Sequence, residues 1–267
     1  ARIAGCHLEG PFLSADFKGA IQRRYLQAGD AALISRFLNA AKSCKLCMTV
    51  SPEVKGIEAL MHYITSQGIF VKLGHSGATY EQAMHCVRAG ATSFTHVMNA
   101  MRPLDRHEPG ILGAALESDA FCEFICDGLH LHPAIVRLLV KAKGIDQLIA
   151  VSDSIMAAGM GDGTYMLGTH KVTVKDGEAT LWDGTHAGST LTLRKALINL
   201  MHFANLQLDQ AIIPLTRNPA KLLGLDQRKG RIAEGMDADL VLLDARMNVQ
   251  YTFVEQEMVY RHTSIAR

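Results

Sequence analysis

Two histidines follow two neighbouring apolar segments of the chain at equivalent positions. The runs Ile69–Leu73 and Ala91–Phe94 lead into His75 and His96, respectively. Neutral imidazoles are good ligands for divalent transition metals, and two of them on adjacent strands can reach one ion. Strand-end histidines also occur without any such role, so the interpretation depends on the rest of the chain.

Other apolar runs are also followed by polar residues with metal-binding or acid–base chemistry. Packing alone does not explain these polar residues, because a packed core requires apolar side chains at such positions. The six polar residues at the predicted strand ends are Glu9, Glu53, His75, His96, Asp127 and Asp153.

The segments between these runs predict the elements that position the polar residues. Tyr80–Arg88 has helical spacing between the two histidine-bearing strands, which predicts a βαβ unit. The same alternation elsewhere favours an α/β fold, a (β/α)₈ TIM-like barrel, in which functional groups collect at the carboxyl ends of the strands. A doubly wound sheet is the competing fold, but no glycine-rich phosphate loop follows any strand.

The predicted strand ends number six, whereas a closed barrel needs eight strands. The chain also opens on Ala1 without a methionine. We therefore expect the first barrel strands to be absent from this stretch, and we expect residues 1–267 expressed alone to aggregate or remain partly unfolded.

The later part of the chain changes character. We assign 1–162 to the hydrolase barrel, 163–187 to a β insertion near the site, 188–229 to the final barrel helices and 230–267 to the C-terminal part of a small β-sandwich domain. Within these segments, Ser189 or Thr190 is predicted to cap a helix over 191–204. Asn218 is predicted to cap a helix over 215–223.

Composition excludes several classes of partner. The 267 residues carry a formal net charge of +1, with 48% hydrophobic and 20% charged residues, which is typical of a globular protein. This balance gives no case for nucleic acid or an anionic membrane as a partner. Cys44 and Cys47 form a lone C-x₂-C pair without a second pair to complete a zinc cage. We interpret all six cysteines as reduced, which favours the cytoplasm.

Eight motifs, in order along the chain, resemble the N-acetylglucosamine-6-phosphate deacetylase family of the amidohydrolase superfamily. They run from the first residues to about Asp244, so the resemblance covers nearly the whole chain. The motifs are HLEGPFL at His7, LGHSGAT at Leu73, FTHVMNAM at Phe94, HEPGILGA at His107, ICDGLHLHP at Ile125, VSDSIMAAGMGDGTY at Val151, DGTHAGSTL at Asp183 and the ADLVLLD tail.

The resemblance implies a role for each matching residue. It makes Glu9, His75 and His96 ligands of a divalent metal, zinc in the first place, with iron, cobalt or manganese as alternatives. It makes Asp153 the catalytic acid/base. The residues it implies for the sugar phosphate site are Asn99, Ala100, His130, Ala187 and Gly188. It also implies a cytoplasmic homodimer that removes acetate from an amino sugar phosphate.

Two positions depart from the family pattern. His107 stands where the family has an arginine for the substrate phosphate, and Arg106 precedes it. We therefore assign Arg106 and His107 together to the phosphate. Ile21 stands where the family has His or Gln to contact the acetyl group or the sugar, and Gln22 follows. The residue that makes this contact stays open at this stage.

The implied groups meet the chemical needs of amide hydrolysis. A divalent ion on two histidines and a carboxylate lowers the pKa of water from about 15.7 to about 7 and polarises a carbonyl. Asp153 could take the proton of the water and pass it to the departing nitrogen. His130 could serve the substrate or only bond a neighbouring carbonyl. Alternatives are N-acetylgalactosamine-6-phosphate deacetylation, another amidohydrolase activity such as cyclic-amide hydrolysis or deamination, and a non-catalytic remnant.

Overall fold

A six-stranded parallel sheet is the main element of the computed structural model, which describes residues 2–263. Its strands are arranged side by side in chain order, and each pairs in parallel with the next. They are β1 (Gly5–Glu9), β2 (Lys45–Val50), β3 (Phe70–Leu73), β4 (Ser93–Phe94), β5 (Phe121–Ile125) and β6 (Leu148–Val151). Residues 1 and 264–267, at the two ends of the predicted segmentation, lie outside the described residues.

Helices follow the strands as the barrel prediction requires. They are α1 (Ala31–Ala41), α2 (Ile57–Ser66), α3 (Tyr80–Arg88), α4 (Gly110–Glu117), α5 (Pro133–Lys143), α6 (Leu193–Ala204), α7 (Leu208–Ala211) and α8 (Arg217–Leu222). Among the described residues, none of these helices is long and apolar enough to cross a membrane. The sheet is a partial TIM barrel whose edges are β1 and β6, which confirms the predicted fold class.

Local sequence explains where two of these helices begin. The Asp30 carboxylate accepts hydrogen bonds from the amides of Ala32 and Leu33, so it caps α1. Thr79 and Gln82 form a capping box at the start of α3. Apolar residues of the strands and helices then meet in one continuous core, in which Phe94, Phe124 and Ile111 are fully buried.

Two small antiparallel sheets lie outside the barrel sheet. The first, the insertion sheet, comprises β7 (Gly163–Leu167), β8 (His170–Lys175) and β9 (Glu178–Thr180) and has a small apolar core of its own. The second, near the end of the chain, comprises β10 (Leu240–Leu243), β11 (Val249–Val254) and β12 (Glu257–Arg261). The predicted boundaries between the four segments stay a prediction.

Two helix starts differ from the sequence prediction. Thr192, not Ser189 or Thr190, caps α6 by accepting a hydrogen bond from the amide of Lys195. The helix predicted over 215–223 is instead a short 3-10 turn followed by α8, and Asn218 lies within α8. The buried Asn218 amide donates to the Ile145 carbonyl at 2.8 Å and the Leu148 carbonyl at 2.7 Å, tying α8 to the start of β6.

A buried ion pair crosses the parallel sheet from β3 to β5. Lys72 and Glu123 contact each other directly, with 9% and 3% of their side chains exposed, respectively. Burying two charges is costly, and the pair is tolerated because each charge neutralises the other. Removing one partner would leave an uncompensated charge in the interior.

We predict that Lys72→Met lowers the free energy of unfolding by roughly 3–5 kcal/mol, because it leaves the buried Glu123 carboxylate without its counter-charge. The double variant Lys72→Met/Glu123→Leu should recover much of that loss, because no lone charge remains. Chemical denaturation of the variants measures both effects. Lys55→Met, at an exposed lysine, is the matched control and should stay within about 0.5 kcal/mol of the parent. A double variant no more stable than Lys72→Met would contradict this account.

Candidate metal centre and active-site cavity

Glu9, His75 and His96 meet at the carboxyl edge of the parallel sheet. Glu9 is the last residue of β1, while His75 and His96 each lie two residues beyond the end of their strands. The Nε2 atoms of both histidines lie 3.0 Å from the same oxygen, Oε1 of Glu9. One ligand atom from each residue falls within 4.8 Å of the others. The three predicted ligands are therefore brought together.

The hydrogen bonding of His75 supports a cation between these groups. Its Nδ1 lies 2.8 Å from the Phe17 carbonyl oxygen, which can only accept, so Nδ1 carries a proton. In the neutral ring, Nε2 then presents a lone pair towards the Glu9 carboxylate. Two acceptors face each other in that state, and either a second proton on the ring or a positive ion must lie between them. This tautomer is the one that ligates a metal through Nε2.

The charges of Glu9 and His96 depend on their surroundings in the cluster. Burial favours the neutral form of Glu9, but the hydrogen bonds from His75 and His96 outweigh it and hold the pKa of the carboxyl far below its usual range. Burial favours neutral His96, but the hydrogen bond and charge of Glu9 raise its pKa overall. The carboxylate is thus ionised, and its negative charge stabilises a positive charge beside it, either a ring proton or a metal ion. One carboxylate and two imidazoles form a donor set that suits zinc and other divalent transition metals.

The backbone at the strand ends is held in an uncommon conformation. His75, His96 and Asp153 have φ angles of 49°, 27° and 48°, in the left-handed region that few non-glycine residues adopt. Such conformations persist only where the surroundings enforce them, and they cluster at functional sites. At His75 the enforcing contact comes from Ser51, whose hydroxyl donates to the His75 carbonyl at 2.6 Å.

Asp153 faces the same cavity as the three candidate ligands. It lies two residues beyond β6, and its carbonyl accepts the Ser189 amide at 2.7 Å. Burial raises the pKa of its carboxyl; the charge of His96 opposes that rise and the charge of Glu9 adds to it. Gly188 permits this close approach, because a Cβ there would stand 2.8 Å from the Asp153 carbonyl oxygen. A carboxyl group with a raised pKa suits proton transfer.

His130 is fixed by the carboxylate at the end of β5. The Asp127 Oδ2 lies 2.6 Å from Nδ1 of His130, and Asp127 Oδ1 accepts the amides of Leu129 and His130 at 2.8 Å each. Burial of Asp127 opposes its ionisation, but the bonds to His130 lower its pKa overall. Nδ1 of His130 is therefore the protonated nitrogen, which leaves Nε2 to act on a ligand.

The three candidate ligands, Asp153 and His130 line one cavity of about 790 Å³. This size is typical of small-molecule sites. Its wall is completed by the loop after β1 and by the β7–β8 hairpin. Predicted site residues in the wall are Glu9, His75, His96, Asn99, Ala100, His130, Asp153 and Gly188, together with Ile21 and Gln22.

Three predicted substrate residues do not line this cavity among the described residues. Arg106 and His107 are exposed, and Nε of Arg106 donates to Nε2 of His107 at 2.9 Å. Ala187 is fully buried, and its amide donates to the Ala179 carbonyl at 3.0 Å. Glu53, another polar strand-end residue, instead accepts bonds from the Ser76 hydroxyl at 2.7 Å and the Gly77 amide at 2.6 Å, bracing the loop after His75.

Sequence reasoning missed two contributors to the site. His186 lines the cavity, and its ring centroid lies 4.7 Å from that of His130. Its place in the DGTHAGSTL motif, directly before Ala187, was the available signal. The Phe17 carbonyl, which sets the tautomer of His75, left no signal because any residue supplies a backbone carbonyl.

Comparisons with known proteins agree with this arrangement. Residues 4–265 match the model of the Amidohydrolase family. The chain is 34% identical over 261 residues to N-acetylglucosamine-6-phosphate deacetylase of Bacillus subtilis, covering 97% of the chain and 66% of that protein. The human enzyme of the same name is also 34% identical, over 273 residues, with 98% and 66% covered. The chain thus spans about two thirds of the length of these curated relatives.

Two solved structures also superpose closely on this chain. The crystal structure of N-acetylglucosamine-6-phosphate deacetylase from Thermotoga maritima superposes with a TM-score of 0.90 at 40% identity, covering 97% of this chain and 70% of that one. A mutant of the Mycobacterium smegmatis enzyme, in complex with N-acetyl-D-glucosamine-6-phosphate, superposes with a TM-score of 0.91 at 36% identity, covering 96% and 68%.

We predict that His75→Ala and His96→Ala each abolish stoichiometric metal binding, because each removes one of only two imidazoles in the cluster. Elemental analysis of the dialysed proteins measures the metal content directly. His202→Ala, at an exposed histidine on α6, is the matched control and should retain the full complement. Full occupancy in both cavity variants would show that the ligand assignment is wrong.

Proposed function

Since the chain belongs to the amidohydrolase family, and within it to the N-acetylglucosamine-6-phosphate deacetylases, we propose that it hydrolyses the N-acetyl amide of N-acetylglucosamine 6-phosphate. The products are glucosamine 6-phosphate and acetate. The observation that carries the proposal is the meeting of Glu9, His75 and His96 at one carboxylate oxygen, in a cavity that also contains Asp153.

Glu9, His75 and His96 would hold the divalent metal, and zinc is the ion we favour for this donor set. When bound, the ion supplies Lewis acidity for the amide carbonyl and makes water more acidic. The Phe17 carbonyl keeps the His75 ring oriented with Nε2 towards the site. Ser51 keeps the backbone of that histidine in place.

Asp153 would carry the proton during the reaction. As a carboxylate it accepts the proton of the attacking water, and as the acid it donates that proton to the departing nitrogen. A raised pKa serves both steps, because the group must exchange its proton readily near neutral pH. An amine leaves an amide only once its nitrogen is protonated, so the second transfer is as necessary as the first.

The remaining wall residues would bind and orient the sugar phosphate. We assign this role to Asn99, Ala100, His130 and Gly188, which line the cavity, and to the neighbouring Ala187. We keep Arg106 and His107, an exposed pair, as the proposed phosphate contacts. Gln22, which lines the cavity beside Ile21, is our candidate for the polar contact that Ile21 cannot make.

The proposed cellular location and oligomeric state follow the same resemblance. We propose a cytoplasmic enzyme, in keeping with six cysteines that all have free thiols. We also propose a homodimer.

The expected activity is acetate release from N-acetylglucosamine 6-phosphate, with a much lower kcat/KM for N-acetylglucosamine. Arg106→Ala should raise KM for the phosphorylated sugar and leave the unphosphorylated one almost untouched, because it removes only a charge contact. Steady-state kinetics on both sugars, and on N-acetylgalactosamine 6-phosphate, measure this selectivity. Arg36→Ala, at an exposed arginine on α1, is the matched control. Equal kcat/KM for N-acetylglucosamine with and without the phosphate would favour another amidohydrolase activity. An equal loss of kcat/KM for both sugars in Arg106→Ala would mean that the loop containing Arg106 has only a structural role.

We predict that Asp153→Asn retains the metal while kcat falls by about 10²–10⁴-fold, because the amide keeps the shape of the side chain but cannot transfer the proton. Elemental analysis and single-turnover acetate release separate the two effects. Turnover within a few-fold of the parent would refute the assignment of Asp153. Loss of the metal together with turnover would make it a positioning group for the metal centre.

A further inference from the structure

A second cavity, of about 710 Å³, opens beside the active-site cavity. It lies between the loop after β1 and the insertion sheet. We call it the basic annex and define it by Lys18, Gln22, Arg23, Arg24, His170 and Trp182, all of which line it.

The basic annex has an excess of positive charge. Three cationic side chains, Lys18, Arg23 and Arg24, line it, against the single carboxylate of Asp183. None of the three cations forms an ion pair within residues 2–263. By contrast, no lysine or arginine among the described residues lines the active-site cavity itself. The annex therefore offers an anion three cationic side chains, unpaired within the described part of the chain, beside the active-site cavity.

The arginine side of the annex is held in position. The Arg24 guanidinium lies 4.9 Å from the centre of the Tyr25 ring and donates to the Tyr25 hydroxyl at 3.0 Å. It also donates to the Thr169 hydroxyl at 3.4 Å, across to the β7–β8 hairpin. A guanidinium already ordered in this way loses less entropy when it binds a planar or tetrahedral oxyanion.

Two further groups in the annex lack a partner. Nε2 of His170 is buried and has no hydrogen-bond partner among the described residues. Trp182 leaves 93% of its surface exposed. A large exposed aromatic ring beside arginines is typical of a binding surface, since its flat face can cover an apolar ring face of a ligand.

The annex and the active-site cavity are contiguous. Ala20, Gln22, Thr169 and His170 line both of them. Gln22 also donates to the Thr169 hydroxyl, so the shared wall joins the loop after β1 to the insertion sheet. A ligand in the annex would therefore contact residues that also line the active site.

We propose that the basic annex binds a sugar phosphate, with its phosphate on Arg23, Arg24 and Lys18 and its ring against Trp182. If the ligand is the substrate, the inference rests on the proposed function and places the phosphate in the annex instead of on Arg106 and His107. If the ligand is a second sugar, the inference stands apart from the proposed function. Two sources share this chemistry: the phosphorylated substrate itself, extending from the active site, or a second phosphorylated sugar bound beside it.

Trp182 is the only tryptophan of the sequence, so its fluorescence reports on the annex without any turnover. We expect glucose 6-phosphate, which has no amide to hydrolyse, to change this fluorescence saturably in the full chain, and glucose to have little effect. The variant Arg23→Gln/Arg24→Gln should weaken binding about tenfold or more, because charged hydrogen bonds are lost. Arg36→Gln is the matched control. Trp182→Phe should remove the signal, while calorimetry measures binding independently of fluorescence.

Competition in the Asp153→Asn variant, in which turnover is slowed, distinguishes the sources. If saturating N-acetylglucosamine 6-phosphate produces the signal and blocks glucose 6-phosphate, the annex belongs to the substrate. If glucose 6-phosphate still changes the signal, the annex takes a second ligand. Equal affinity in Arg23→Gln/Arg24→Gln and Arg36→Gln would overturn the proposal. So would calorimetric binding without any change at Trp182.

Discussion

The convergence of two imidazoles on one oxygen of Glu9 is the interaction on which the rest of the site depends. It arises because parallel strands end at the same edge of the sheet, so that residues just beyond β1, β3 and β4 become neighbours in space. The carboxylate is held ionised by the rings, and the Phe17 carbonyl holds the ring of His75. Both histidines have a strand-end backbone in the left-handed region.

Beneath this edge the sheet carries polar groups that an ordinary apolar core would exclude. His7 bonds the Thr49 hydroxyl at 2.7 Å, and Thr49 bonds the Thr95 hydroxyl at 2.7 Å, directly before His96. The Lys72–Glu123 pair lies in the same parallel sheet. The hydroxyls of Thr49 and Thr95 and the Lys72–Glu123 pair thus have specific partners, which limits the alternative packings. Rigid support of this kind helps to keep the ligands within the small range of positions that metal binding and catalysis require.

The walls of the active-site cavity come from two different parts of the fold. The parallel sheet supplies Glu9, His75, His96 and Asp153, whereas the loop after β1 and the insertion sheet supply the outer wall. The proposed metal ligands and the proposed proton carrier thus lie at the sheet edge, whereas loops and the insertion sheet form the outer wall. The distribution of charge follows this division, because the cations collect in the basic annex rather than around the metal centre.

The sequence by itself determined the βα alternation, because strand periodicity is a local property, and its motifs supplied the resemblance that implied the three candidate ligands. Only the tertiary structure decided how Asn218 is used: it looks like a helix cap in sequence, yet it binds carbonyls some seventy residues away. Only the structure, likewise, placed Arg106 outside the cavity wall and brought Lys18, Arg24 and Trp182 together. These arrangements depend on contacts between distant segments, and no local pattern encodes such contacts.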